Sequence, residues 1–362
     1  MARRIAFENI ENFRDLGGYA CNFGTTEFGH IYRSASLAKA SKADLDKMAE
    51  IGIKSVIDLR GGADQASVPN PCLNDPRFKV YSLEVNGNGR IPQDQEDQYD
   101  SYMEMIEDAE SARKIFRTFI SAQKPLVFHC NAGKDRTGVF TIMLLALAGV
   151  DIDDINADYM LSFPYLPKMT KETREIRKYV PELLLTPKIE FIPEFYRRFI
   201  ERFHSPEEYF EAIGLIDDEI SYLANVLGRH ERSCGAVVFY NDKVLVEHMV
   251  HGHYSVPKGH VEPFDEDDYA TARREIKEET DLDISFVDGY SYDVNYSPSK
   301  GSVKRVTFFL AETDSNKATP QKEEVSDIYF LTPVDALYAL THESDRKLVA
   351  DAANFYANLK KN

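Results

Sequence analysis

The chain has 362 residues, of which 43% are hydrophobic and 28% charged, and its net charge is -17. That length favours two domains over one, and the composition is that of a soluble globular protein. The negative charge disfavours nonspecific binding to nucleic acid or to an anionic membrane, because both would repel the chain at long range.

Any phosphorylated substrate must therefore be met by local positive charge or by a metal. The four cysteines, Cys21, Cys72, Cys130 and Cys234, lie far apart without a CxxC pair. A reducing cytoplasm fits them better than a disulfide framework does. Basic residues follow Met1, but no apolar segment follows them, so no signal peptide is expected. No apolar run is long enough to cross a bilayer, so no stable membrane insertion is expected.

Residues 5–35 carry short strand-like pieces and turn signals, among them Asn12-Phe13-Arg14-Asp15-Leu16-Gly17-Gly18-Tyr19. Ser41 suits the N-cap of a helix running to about Glu50, with Asp44 in its first turn. Residues 55–59 read as a buried strand, with Asp58 and Arg60 at its end, where ligands gather in open α/β sheets. A structural ion pair is the plainer use of those two charges. Residues 86–100 are polar and Gly-containing, and they read as an exposed loop. Residues 125–128 read as a buried strand, and 139–150 are apolar over a length that fits only a helix.

Cys130 and Arg136 thus fall on a turn between a strand end and a helix start. Backbone N–H groups there form a cradle for an anion. The same field, with Arg136, Lys134 and His129, favours a thiolate at Cys130. Arg136 can grip two phosphate oxygens at once. A thiolate under a bound phosphate is an in-line nucleophile.

The run HCNAGKDRTG, from His129 to Gly138, resembles the phosphate loop of the protein tyrosine phosphatase superfamily, in its atypical, mostly microbial branch of tyrosine and lipid phosphatases. NFRDLGG at 12–18 and VIDLR at 56–60 agree with it. The resemblance covers residues 5–228. It implies a domain over 1–228 with a central, mainly parallel sheet flanked by helices and a helical C-terminal part. It also implies a phosphocysteine route that needs no cofactor. Cys130 is then the nucleophile and Arg136 its catalytic partner, with Asn131, Ala132, Gly133, Lys134 and Thr137 binding phosphate. Asp135 is the preferred general acid over Asp94, Asp97 and Asp100 of the polar loop; the plainer alternative is that Asp135 only holds the turn. Arg14 and Asp15 are expected to support the loop, although Asp15 equally suits a surface turn.

Residues 151–227 read as mainly helical, including Asp158-Tyr159-Met160-Leu161-Ser162, an amphipathic stretch at 191–203, a helix started by Ser205, and a last helix near Asp217. Their aromatic residues are expected to pack a core rather than form a lid. Residues 228–232 form a short, charged junction.

Beyond it, 234–240 and 243–247 read as a hairpin around Asn241 and Asp242. Residues 271–280 read as a helix with Glu275, Glu278 and Glu279 on one face. Clustered carboxylates of this kind repel each other unless a divalent cation lies among them, and hard oxygen ligands suit Mg²⁺ or Mn²⁺. The order Gly259, Glu266, Arg274, Glu275, Ile276, Glu278, Glu279, Leu282 resembles the Nudix box of pyrophosphohydrolases. One extra residue separates Gly259 from Glu266, which makes Asp265 a rival for the role of Glu266. Asp281 replaces the usual Gly, a place where Asp tolerates left-handed backbone.

The segment as a whole is similar to diadenosine tetraphosphate hydrolases, through Asn295-Tyr296, Lys304 and Glu324. It implies a Nudix α/β/α sandwich over 229–362. Glu275 and Glu279 are catalytic in that reading, Gly259, Glu275, Glu278, Glu279 and Glu324 hold the metal, and Lys304 contacts phosphate. Tyr292 and Tyr296 suit either base stacking or ordinary packing.

The expectation is a bifunctional phosphohydrolase. One domain cleaves phosphate monoesters, and the other, with Mg²⁺ or Mn²⁺, cleaves a diphosphate link of an inositol pyrophosphate or a dinucleoside polyphosphate. A phosphoprotein is a further substrate for the first domain. The alternative is a phosphotyrosine or phosphoinositide phosphatase regulated by a Nudix domain that senses a ligand without turnover.

Overall fold

A computed structural model describes residues 3–85, 91–176, 180–186 and 188–360. The chain divides into two compact units: Met1–Arg229 with Ser297–Val303, and His230–Tyr296 with Lys304–Asn362.

The first unit is built on a five-stranded sheet. Ile31–Ser34, Leu126–His129, Ser55–Asp58 and Lys79–Ser82 lie parallel. Arg14–Asp15 adds an antiparallel edge beside Ile31–Ser34. Period-two alternation sorts the side chains onto two faces. Ile57, Leu126 and Phe128 face the core shared with helix Asp135–Leu147, whereas Val56 and Val127 face the core that holds Met48 of helix Lys42–Glu50. Helices therefore cover both sides, as parallel sheets require. Helix Asp135–Leu147 is buried without a break from Thr137 to Leu147, which explains why its sequence carries no polar stripe.

Ser41 caps helix Lys42–Glu50, and Asp44 returns the bond to the Ser41 backbone. This capping box satisfies two otherwise orphaned donors. The chain after the sheet is helical, as expected: Ile152–Met160, Pro167–Ile176, Glu182–Leu185, Phe191–Phe203, Pro206–Ala212 and Asp217–Asn225. Phe191, Phe195, Phe199, Tyr209 and Phe210 are buried in the main core, so these aromatics pack rather than cover.

One expectation is corrected. Residues 86–100 do not form one loop: 86–90 lie outside the described residues, and Gln95–Glu107 is a helix. Asp94 is its N-cap and accepts the Asp97 N–H at 2.9 Å. The acidic residues that suggested a loop instead complement a helix N-terminus, where N–H groups lack partners. The short junction at 228–232 runs directly into strand Arg229–Tyr240.

The second unit holds a seven-stranded sheet. Arg229–Tyr240 and Lys243–Met249 form the expected hairpin, turning at Asn241 and Asp242 with φ of 45° and 62°. A two-residue type I′ turn needs positive φ at both positions, and Asn and Asp accept it best after Gly. Val237, Phe239, Val244 and Val246 pack with helices Pro333–Ala339 and Glu343–Leu359, while Ala236, Val238 and Leu245 pack with Asp268–Thr280. The sheet is thus covered on both faces, which is the expected α/β/α arrangement. Asp281 ends helix Asp268–Thr280 in the left-handed conformation, at φ 55°.

Candidate functional site

In the first unit, Ser34, His129 and Asp58 stand in register across three adjacent parallel strands. The 130–134 turn leaves the sheet at this C-terminal edge and runs straight into helix Asp135–Leu147. The carbonyls of Asn131, Ala132 and Gly133 are tied from outside the turn. Asn131 O accepts the Ser36 N–H at 2.9 Å. Asn12 Nδ2 donates to Ala132 O at 3.0 Å and to Gly133 O at 3.1 Å, and Arg33 Nη2 donates to Gly133 O at 2.7 Å. Among the described residues, no protein acceptor takes the N–H groups of Asn131, Ala132 or Gly133. With the carbonyls held away and the N–H groups unspent, the turn is a nest for an anion at a helix N-terminus.

The brace behind the turn is fully buried. Arg14 donates to Asn12 Oδ1 at 2.5 Å and to Asp158 Oδ1 at 2.8 Å. Arg33 reaches Asp158 Oδ2 at 2.5 Å, and Tyr19 donates to Asp158 Oδ1 at 2.9 Å. Burial alone would raise the Asp158 carboxyl, but Arg14 and Arg33 outweigh it and hold Asp158 far below the usual carboxylate range. Arg14 therefore supports the loop, as expected, through Asn12. Asp15 holds a buried turn rather than a surface one, and accepts the N–H groups of Gly17 and Gly29 at 2.8 and 2.7 Å. Sequence reasoning assigned no role to Asn12, Arg33 or Asp158. The only signal for Asp158 was its place in the stretch that resembles the family after the loop helix.

Loop residues Asn131, Ala132, Lys134, Asp135 and Arg136 line a pocket of about 580 Å³ that Phe163 and Leu184 also line. Cys130 is 3% exposed and does not itself line that pocket. Arg136 is tethered loosely, with Nη1 3.4 Å from Leu59 O and Nη2 3.9 Å from Asp64 Oδ2. Asn131 Nδ2 donates to the same Asp64 oxygen at 2.7 Å. Lys134 Nζ donates to Leu184 O and stands 3.3 Å from Asp135 Oδ1. Burial pushes Lys134 down, but Asp135, Tyr159 and Cys130 outweigh it and keep the ammonium charged. Asp135 Oδ1 also accepts the Tyr102 hydroxyl at 2.6 Å, and Tyr102 meets the Tyr159 hydroxyl at 2.9 Å. Thr137 is fully buried, and its hydroxyl has no partner among the described residues.

His129 does not supply charge to Cys130. Burial holds its pKa below the ordinary value, and its Nδ1 lies 3.0 Å from Cys130 O. Its other nitrogen faces Asp58 at 3.5 Å, and Asp58 pairs with Arg60 at 2.7 Å. Asp58 and Arg60 are thus the structural pair expected. Asp94, Asp97 and Asp100 are not brought to the pocket lining.

In the second unit, Gly259 lies against Glu275 so closely that an added Cβ would sit 2.0 Å from its carboxyl carbon. Arg274 clamps the acidic face. It donates to Asp265 at 3.0 and 2.9 Å, to Glu275 at 2.8 Å, to Glu278 at 3.2 Å and to His260 O at 2.8 Å. Asp265 therefore holds the loop, and Glu266 has no part in that clamp. Glu279 is buried and accepts the Lys258 N–H at 3.0 Å. Burial, then neighbouring carboxylates, push Glu275 and Glu279 above the usual range.

Sequence reasoning missed Glu247. It is 1% exposed, it is raised by burial with Glu324 adding to the shift, and its Oε1 has no hydrogen-bond partner among the described residues. Glu324 is exposed in a turn and acts electrostatically on Glu247 and Glu275. Lys304 is half-buried and lies 3.4 Å from His260 Nε2. Burial and Lys258 push it below the ordinary lysine value. Tyr292 and Tyr296 pack against the core of the helix Glu343–Leu359 face.

Among the described residues, no three His, Cys, Asp or Glu side chains stand grouped to coordinate one ion. The expected set of Gly259, Glu275, Glu278, Glu279 and Glu324 is thus not assembled as a cage, because Arg274 holds Glu275 and Glu278 and the Lys258 amide holds Glu279. The residues nonetheless suit a divalent cation. The carboxylates are hard ligands that raise one another, Gly259 leaves room for Glu275, and a buried oxygen of Glu247 is unspent.

Residues 5–228 match the model of the tyrosine phosphatase family. The chain belongs to that family. Residues 229–352 match the NUDIX domain, whose members in general require a divalent metal. A Cupriavidus necator protein named for tyrosine-protein phosphatase activity is 37% identical over 172 residues, 44% of this chain and 62% of that protein. The chain thus spans 62% of the length of that relative. A pig bis(5'-nucleosyl)-tetraphosphatase (asymmetrical) is 28% identical over 134 residues, 33% of this chain and 89% of that protein. A solved Caenorhabditis elegans Ap4A hydrolase complex is 22% identical, with a TM-score of 0.33, and the match covers 35% of this chain and 98% of that one.

Proposed function

We propose that the chain is a bifunctional phosphohydrolase. The observation that carries the first activity is the turn at 130–134. Its carbonyls are braced by Asn12, Arg33 and Ser36, and its N–H groups are left unspent beside Cys130. A phosphate monoester dianion settles in the nest, with Arg136 on its oxygens. Cys130 Sγ attacks phosphorus in line, the P–O ester bond breaks, and Asp135 gives its proton to the leaving oxygen. Water then cleaves the P–S bond, Asp135 takes a proton from it, and inorganic phosphate leaves. Asn131, Ala132 and Gly133 bind through backbone N–H groups, Lys134 through charge, and Thr137 through its place in the first helical turn.

The second activity is cleavage of a diphosphate link on the acidic face of helix Asp268–Thr280. Bound Mg²⁺ or Mn²⁺ would neutralise the pyrophosphate and lower the pKa of an attacking water. Gly259, Glu275, Glu278, Glu279 and Glu324 would hold it, with Glu275 and Glu279 as the groups that would take the proton of the attacking water. Lys304 and Lys258 supply positive charge near that face for the substrate phosphates. Dinucleoside polyphosphates are favoured as substrates by the relative named for that reaction, with inositol pyrophosphates as the rival class. Free thiols at all four cysteines suit a reducing cytoplasm, and no described helix is long and apolar enough to cross a membrane.

One observation favours a second reading, in which the Nudix domain binds a ligand without turnover: Arg274 pairs with Glu275 and Glu278. The experiment that separates the readings incubates the full chain with diadenosine tetraphosphate, a diphosphoinositol polyphosphate, an aryl phosphate and a phosphotyrosine peptide, each with Mg²⁺ and with chelator, and resolves products by ³¹P NMR. Mg²⁺-dependent loss of a diphosphate link, with chelator-resistant release of phosphate from a monoester, is the expected result. Monoester cleavage with every diphosphate link intact would instead support the ligand-binding reading.

A further inference from the structure

Strand Lys243–Met249 is an apolar strand interrupted by Glu247. Alternation puts Glu247 on the side of Leu245, whose neighbours include Ala272 and Ile276 of helix Asp268–Thr280, and away from Val246 on the other face. Glu247 thus points to the face of the sheet that the acidic helix covers. The side chain is fully enclosed, yet Oε1 has no partner among the described residues. A buried carboxylate oxygen left unpaired is costly and needs a reason.

Its surroundings supply one. Glu247 stands opposite Ser255 across the strand pair. Ser255 Oγ accepts Lys258 Nζ at 3.3 Å, and the Lys258 N–H binds Glu279 Oε2 at 3.0 Å. Lys258 attracts Glu247, while Glu279 and Glu324 repel it. The ammonium of Lys258 faces both Glu247 and Glu279, so net negative charge remains where they meet.

We propose that Glu247 is a further ligand of the divalent-cation site on this face, its unpartnered Oε1 turned towards the ion that Glu275 and Glu279 also hold. The inference rests on the cation site of the proposed function. A protein carboxylate on the strand would add a rigid, fully dehydrated ligand to a site otherwise drawn from the helix, Gly259 and Glu324. Rigid sites of higher charge bind a hard cation more tightly.

The test uses the full chain stripped with chelator, without substrate, and Mn²⁺ as the probe. In Glu247→Gln, which keeps the volume, the Kd for Mn²⁺ read by EPR rises by at least about tenfold. Pulsed EPR in deuterated water then shows more exchangeable water on the bound ion, because water takes the vacated position. The Mn²⁺-induced rise in Tm shrinks in parallel. Glu247→Asp, which keeps the charge on a shorter arm, also binds more weakly, and it carries the test if Glu247→Gln does not fold. Unchanged Mn²⁺ affinity and hydration in these variants, alongside lost binding in Glu279→Gln, would overturn the proposal and leave the cation site standing. Failure of the unaltered chain to bind Mn²⁺ would overturn the site and the proposal together.

Discussion

At Gly133 the backbone has φ of +64°, and a Cβ would sit 2.1 Å from Ser34 O. Both the conformation and the space demand glycine, since L side chains rarely adopt left-handed backbone. The same residue's carbonyl receives Asn12 and Arg33. Gly133→Ala is therefore expected to shift the nest and lower kcat/KM on an aryl phosphate by about 100-fold, with a smaller effect on the melting temperature. Asp158 carries a different prediction. It is a buried anion shared by two arginines, and removing one partner of such a set costs about 3–5 kcal/mol. Asp158→Asn is expected to lose stability on that scale in urea unfolding. The sign with pH follows from its depressed pKa. The ionised form stabilises the fold above the ordinary value of 3.8, and that contribution is lost as pH falls towards the lower folded value. Acid unfolding of the unaltered chain is thus steeper below about pH 4 than that of Asp158→Asn.

The helix Gln95–Glu107 shows how element and site separate. Its acidic N-terminal residues resemble a mobile acid loop in sequence, but Asp94 spends its carboxylate on the helix N-terminus. Asp94→Ala is expected to cost about 1 kcal/mol of stability and to leave ester cleavage intact. Asp135→Asn, at the loop, is expected to lower kcat by about 100-fold or more. Cys130, Arg136 and the acidic face of helix Asp268–Thr280 were legible because each lies within one contiguous stretch, where spacing alone fixes the shared face or turn. The hairpin at Asn241 and Asp242 and the cap at Ser41 were legible for the same reason. Asn12 and Arg33 were not, because they meet the loop from distant parts of the chain through side-chain to carbonyl bonds, and Asp158 was not, because it stands behind them as the partner of Arg14 and Arg33; such contacts leave no periodic trace. Glu247 had a faint signal, a lone acid in an apolar strand on the face of Leu245. The Arg274 clamp was invisible, since one arginine at that spacing serves a metal site and a salt-bridge lattice equally well.

Across the whole molecule, a net charge of -17 surrounds two places where phosphate would have to be welcomed. Each answers that repulsion by different physics. The first unit concentrates backbone N–H groups, Lys134 and Arg136 around a thiol. The second gathers carboxylates that invite a divalent cation. The two activities are therefore expected to fail independently. The most direct measurement compares the unaltered chain, Cys130→Ser and Glu279→Gln on an aryl phosphate and on diadenosine tetraphosphate in Mg²⁺, following both by ³¹P NMR. The account expects Cys130→Ser to lose monoester cleavage alone and Glu279→Gln to lose diphosphate cleavage alone. Loss of both activities in either folded variant, or monoester cleavage that survives Cys130→Ser, would contradict it.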